Sequence, residues 1–143
     1  MDHVNVINIL LVEDDTLDVI DARRTLDRMN ILYKLHVAKN GEEALAYLRD
    51  VAHSGIDRPE IILLDLNMPK LNGIEFLTSI RQNDEWKDTK VFIITTSEER
   101  EDKELTRRLG VSGYIVKPLK FNNPSSIDSF NLMIDLLNFK NKT

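Results

Sequence analysis

A few side chains in this sequence are of types suited to chemistry on a highly charged anion. Glu13, Asp14 and Asp15 follow the apolar run 6–12. Asp65 follows Ile61-Ile62-Leu63-Leu64. Thr95 and Thr96 follow Val91-Phe92-Ile93-Ile94, and Lys117 follows Tyr114-Ile115-Val116. Carboxylates gathered in one place repel one another and bind protons more tightly. A hard divalent cation relieves that repulsion, and Mg²⁺ suits it, taking oxygen ligands, keeping several waters and using one or two carboxylates plus phosphate oxygens. Asp14 and Asp65 are candidates for direct ligation, with Glu13 acting through water. Asn67, two residues past Asp65, can add its backbone carbonyl. Lys117 supplies a positive charge for an anion, and the Thr95 hydroxyl can donate to a phosphoryl oxygen. Each residue alone has a plainer use. An acidic pair after a strand often caps a helix, a threonine at a strand end is often structural, and a lysine is usually solvated. Only their recurrence at the ends of four apolar runs points to a site.

Those runs must be positioned by regular elements. They are rich in β-formers and do not alternate cleanly, which predicts strands buried on both faces. Leu35-His36-Val37-Ala38 is a weaker fifth run. The segments between read as helices. Leu17, Ile20, Leu26 and Met29 recur at helical spacing, and Asp15 or Thr16 is placed to cap that helix. Ala44, Leu45 and Leu48 follow Gly41, and Ile74, Phe76, Leu77 and Ile80 follow Asn72-Gly73. A charged segment from Glu98 has Leu105 and Leu109 as its anchors and Gly110 as its stop. The last helix starts at Pro124 and carries Ile127, Phe130, Met133, Ile134 and Leu137. Five strands alternating with five helices predict an α/β domain with a parallel sheet and right-handed crossovers. Ligands in such sheets bind beyond the carboxyl ends of the strands, where the acids, the threonine and the lysine would converge.

Length and composition narrow the classes. The 143 residues suit one domain with a proper core. There is no cysteine, so disulfides, thiolate metal sites and cysteine nucleophiles are excluded. The net charge is −5 and there is no polybasic tract, which argues against a nucleic-acid surface. No apolar run approaches a membrane span, and Met1-Asp2-His3 does not open like a signal peptide. A cytoplasmic, membrane-free protein is the expectation. His3, His36 and His53 are scattered and show no metal-ligand spacing.

The stretches Ile9 to Asp15, Leu64 to Gly73, Ile94-Thr95-Thr96 and Gly113 to Pro118 together resemble the receiver domain of two-component response regulators. Thirty residues separate Asp65 from Thr95 and twenty-two separate Thr95 from Lys117, spacings that fit the family. The resemblance covers roughly residues 6–137. It implies a flavodoxin-like (βα)5 sandwich, with the five-stranded parallel sheet in the order 2-1-3-4-5. It implies that Asp65 accepts a phosphoryl group from a phosphohistidine on a sensor histidine kinase or phosphotransfer protein. Glu13 and Asp14 match the acidic pair that holds Mg²⁺, and Asn67 matches the position whose backbone oxygen joins them. Thr95 matches the switch hydroxyl, Tyr114 the aromatic switch and Lys117 the lysine that pairs with the acceptor and then the phosphate. The Lys117–Pro118 peptide bond is expected to be cis. Signalling would pass through the face of the fourth helix, fifth strand and fifth helix, where the apolar residues of the last helix also suggest a homodimer.

Two features depart from the common pattern. The residue after Thr95 is commonly small, yet here it is Thr96, which should narrow access to Asp65. Residues 49–60 form a longer connection containing Gly55 and Pro59, similar to single-domain receivers that work with phytochrome-type kinases. Only residues 138–143 follow the last helix, so the expectation is a stand-alone receiver spanning 1–143 with no output domain. One alternative is an interaction module of receiver fold that no longer depends on phosphorylation, although the full set Glu13, Asp14, Asp65, Thr95 and Lys117 argues against it. A dehalogenase-type phosphatase wants a second aspartate two residues after the nucleophile, where Asn67 stands.

Overall fold

The computed structural model describes residues 6–29, 31–68 and 72–117, together with residue 131. The β-rich runs form strands β1 (Ile7–Val12), β2 (Tyr33–Ala38), β3 (Ile61–Leu64), β4 (Lys90–Thr95) and β5 (Gly113–Val116). All pairings are parallel and the order is β2-β1-β3-β4-β5. The four described helices are α1 (Thr16–Asp27), α2 (Gly41–Ser54), α3 (Gly73–Arg81) and α4 (Arg100–Arg108). The expected fold is therefore observed. The Lys117–Pro118 bond, the last helix with its apolar residues, and the homodimer face that needs it lie outside the described residues.

The largely apolar character of β1, β3 and β4 follows from burial on both sides. Leu10, Val12, Ile62, Leu64, Val91 and Ile93 pack with Ala44, Leu48, Phe76, Leu77 and Ile80 of α2 and α3. Ile7, Ile9, Leu11, Ile61, Leu63, Phe92 and Ile94 pack on the other face with Ala22 and Leu26 of α1. Each fully buried aliphatic side chain contributes about 1.5–3 kcal/mol of transfer free energy, which fixes which residues point inward along the sheet.

Local chemistry sets the helix ends. The Asp15 carboxylate caps α1, accepting from the Leu17 and Asp18 amides at 2.8 and 3.2 Å. Asn40 and Asn72 cap α2 and α3 in the same way. Gly55 and Gly110 take left-handed conformations just beyond α2 and α4, which only glycine adopts without cost.

Three expectations are corrected. Leu17 and Ile20 are exposed, 72% and 39%, because α1 turns Ala22, Thr25 and Leu26 inward instead. Leu105 does not anchor α4: it is 40% exposed, while Thr106 is fully buried and donates its hydroxyl to the Asp102 and Lys103 carbonyls. That internal bond makes a threonine tolerable inside. The long connection after Arg49 is half helix, since α2 continues through Ser54 with Val51 buried, and only Gly55 ends it. Among the described residues, no helix is long and apolar enough to cross a membrane.

Candidate functional site

The strand register gathers the site. Val12 lies beside Leu64, and Leu64 beside Ile93. Glu13 and Asp65 therefore leave neighbouring strands together, and the Asp65 amide donates to the Val12 carbonyl at 3.0 Å. Thr95 lies beside Val116, and the Lys117 amide donates to the Thr95 carbonyl at 2.7 Å. The four chain segments thus end at one edge of the sheet, as a parallel fold requires.

Glu13, Asp14 and Asp65 each offer one oxygen within 4.8 Å of the others. Glu13 and Asp65 are buried, while Asp14 is exposed, so the cluster is open on one side. The donor set is all oxygen and all acidic, which fits a hard divalent cation with waters in its remaining positions. Burial holds the Glu13 carboxyl above the usual carboxylate range. The hydrogen bond from Lys117 opposes that rise, and the neighbouring Asp65 charge adds to it. Cation binding would relieve this crowding.

Lys117 reaches into the same cluster, with its side chain only 7% exposed. Its Nζ donates to Glu13 Oε1, to Asp18 Oδ2 at 2.8 Å and to Asp65 Oδ2 at 3.2 Å. Burial alone would lower the lysine's proton affinity. Its hydrogen bonds to Asp18 and Glu13, together with the Asp65 charge, raise it above the ordinary value instead, so the ammonium stays charged. The solvated lysine that a lone residue suggests is not what the fold produces.

Asn67 enters by contacts that its position did not announce. Its amide N–H donates to Asp65 Oδ1 at 3.2 Å and its Nδ2 donates to the buried Thr95 hydroxyl at 3.3 Å. The side-chain nitrogen also lies 3.5 Å from the Thr96 hydroxyl, so the exposed Thr96 borders the mouth of the site. The Ser97 amide donates to Thr95 Oγ1 at 3.3 Å, and the Tyr114 hydroxyl donates to the Ser97 carbonyl at 2.9 Å. Tyr114 is thereby linked to Thr95 through one residue. The structure brings Glu13, Asp14, Asp65, Asn67, Thr95, Thr96, Tyr114 and Lys117 together. Pro118 lies outside the described residues.

Asp18 went unnoticed in the sequence. Its place in the first turn of α1 reads as a helix-dipole charge, and only the fold brings Lys117, 99 residues later, to within 2.8 Å. Gly73 carries a constraint that its place at the start of α3 does not announce. A Cβ there would lie 2.5 Å from the Asp65 carbonyl oxygen and 2.6 Å from Leu66 Cα, so α3 begins against the backbone that carries Asp65.

A parallel sheet of this order, with acids, threonine and lysine at its carboxyl edge, defines a receiver-type signalling domain. The chain belongs to the response regulator receiver domain family, whose sequence profile matches residues 9–125. It is 36% identical over 110 residues to the response regulator Rcp1 of Synechocystis, covering 76% of this chain and 75% of that protein. The crystal structure of the Mn²⁺-bound form of Rcp1 superposes with a TM-score of 0.73 at 32% identity, covering 96% of this chain and 95% of the other. The bacteriophytochrome response regulator AtBRR superposes with a TM-score of 0.73 at 33% identity, covering 94% of each chain.

Proposed function

We propose that this protein is a stand-alone response regulator that accepts a phosphoryl group on Asp65 and signals by a changed protein-binding surface. The observation that carries the reading is the Asp65 carboxylate itself. It is buried at the end of β3, 3.2 Å from the Lys117 ammonium and clustered with two further carboxylates. Glu13, Asp14 and Asp65, with the Asn67 backbone carbonyl, would hold a divalent cation, and Mg²⁺ is the reading that the oxygen set favours. When bound, that cation would neutralise charge on the phosphoryl oxygens. A Mn²⁺-bound Rcp1 supports a cation here.

The chain's own groups do the remaining work. Phosphoryl transfer runs through a loose transition state, so the protein mainly positions and neutralises. An Asp65 oxygen attacks phosphorus while the bond from phosphorus to the donor's histidine nitrogen breaks, and an acyl phosphate forms. Lys117 is already directed at Asp65 and would follow the new negative charge, which is about −2 at neutral pH. The Thr95 hydroxyl would turn from Asn67 toward a phosphoryl oxygen. Tyr114, tied through Ser97, would then change rotamer at the β5 surface, a local charge event read at a distance. The donor is a sensor histidine kinase or a phosphotransfer protein, and the cytoplasm is where they would meet. The likeness to a bacteriophytochrome response regulator makes a phytochrome-type kinase the donor to try first. Thr96 at the mouth of the site would slow loss of the phosphate.

Incubation with Mg²⁺ and acetyl phosphate should add one phosphoryl group by intact mass, and Asp65→Asn should not gain it. Repeated turnover of the donor beyond slow self-dephosphorylation would favour an enzyme instead. Absence of any Mg²⁺-dependent adduct would overturn the proposal and leave a phosphorylation-independent interaction module.

A further inference from the structure

Lys117 commits every ammonium hydrogen to a carboxylate. A lysine ammonium has three N–H donors, and here Glu13, Asp18 and Asp65 take one each. Two of these partners belong to the carboxylate cluster suited to a cation, and Asp18 does not. The Asp18 side chain is 32% exposed, against 3% for Glu13 and 7% for Asp65. Charge at the N-terminus of α1 explains an acid at this position. It does not explain why that acid takes a hydrogen bond from a buried lysine that already has two other anions.

We infer that Asp18 is a positioning residue for the site: it holds the Lys117 ammonium toward α1 and so keeps Glu13 and Asp65 available to a divalent cation. This rests on the cation reading above. The ammonium and the cation compete for the charge of the same two carboxylates, Glu13 and Asp65. A third carboxylate outside that set gives the ammonium a partner that it can keep when the cation takes the other two. Being the most solvated of the three, Asp18 bears this pairing at the lowest desolvation cost. It also leaves Lys117 beside Asp65, where a phosphoryl oxygen would arrive. Without Asp18, the ammonium falls on Glu13 and Asp65 alone and the site loses one negative charge. Both changes act in the same direction, against cation binding.

The test is calorimetric titration of the full chain with Mg²⁺, and with Mn²⁺ as a second probe, at fixed pH and ionic strength. Asp18→Asn should weaken Mg²⁺ binding roughly three- to tenfold, the scale for a partly screened charge near a surface. Asp18→Glu should recover most of the loss. Asp21→Asn, one turn further along α1, should change affinity by less than about twofold at the same screening. The deciding measurement is a double-mutant cycle. In a Lys117→Met background, where only the lost charge remains, Asp18→Asn should cost clearly less affinity than it does in the parent chain. An equal loss with and without Lys117 would reduce Asp18 to a general charge and overturn the inference, as would unchanged affinity in Asp18→Asn. A wild-type chain that binds neither ion would instead sink the cation reading, and this inference with it.

Discussion

Arg81, the last residue of α3, ties that helix to the two connections that lead into the paired strands β4 and β5. Its Nε donates to the Leu109 carbonyl at 2.6 Å, and its Nη1 donates to the Thr89 and Lys87 carbonyls at 2.8 and 3.0 Å. Its Nη2 donates to the Gly110 carbonyl at 3.2 Å. One guanidinium thus ties the entry to β4 to the turn between α4 and β5, and β5 leads directly to Lys117. Replacing Arg81 with Met keeps most of the apolar stem and removes all four bonds. The bonds to Lys87 and Gly110 are exposed, and water replaces them at little cost. Those to Leu109 and Thr89 are partly buried, and hydrogen bonds to a charged group are worth about 1.5–3 kcal/mol each. The lower part of that range gives an expected loss of about 3–4 kcal/mol, a large share of the 5–15 kcal/mol typical of a domain. Arg81→Lys should recover at most about half, because one ammonium cannot reproduce a planar fork. Equilibrium urea unfolding followed by circular dichroism would measure both variants. With a slope of about 2 kcal/mol/M, the Met variant's midpoint should fall by about 1.5–2 M. A loss below about 1 kcal/mol, or a lysine variant as stable as the parent, would refute the reasoning.

Other outcomes follow from single contacts. Gly73→Ala puts a Cβ against the backbone of Asp65 and Leu66. It should cost about 1–3 kcal/mol and slow phosphorylation by acetyl phosphate, and a variant of parental stability would show that the close approach of α3 to this backbone is no constraint. Thr96→Ala opens the mouth beside Asn67 and should shorten the life of the aspartyl phosphate, followed as loss of label; an unchanged lifetime would count against a gate there. Burial raises all three tyrosines above the ordinary value of 10.0, and Tyr33, hydrogen-bonded to Asp27, reaches about 12. Because the folded state favours the protonated phenols, their contribution is whole below pH 10 and is lost as pH rises through the folded values. Tyrosinate absorbance should therefore lag behind that of the unfolded chain, and stability should fall between about pH 10 and 12. Coincident titration of folded and unfolded chains would refute the shift.

Much of this molecule was legible from its chain. Strands buried on both faces need continuous apolar runs, so β1, β3 and β4 announced themselves, and a parallel sheet sends their following residues to one edge. That logic is enough to gather Glu13, Asp14, Asp65, Thr95 and Lys117 at one edge. Helix caps were equally local, as at Asp15, because a carboxylate needs only the next two or three amides. Helix faces were harder to read. Leu17, Ile20 and Leu105 have suitable types and spacing yet face outward, because inward direction depends on how each helix rotates against the sheet. The contacts of Asp18 and Arg81 were beyond the chain altogether. Asp18 meets a partner 99 residues away and Arg81 reaches a carbonyl 28 residues on. Composition and periodicity record which side chains seek burial, but a hydrogen bond between distant segments depends on register, crossover and helix placement together, and these exist only once the sheet has formed.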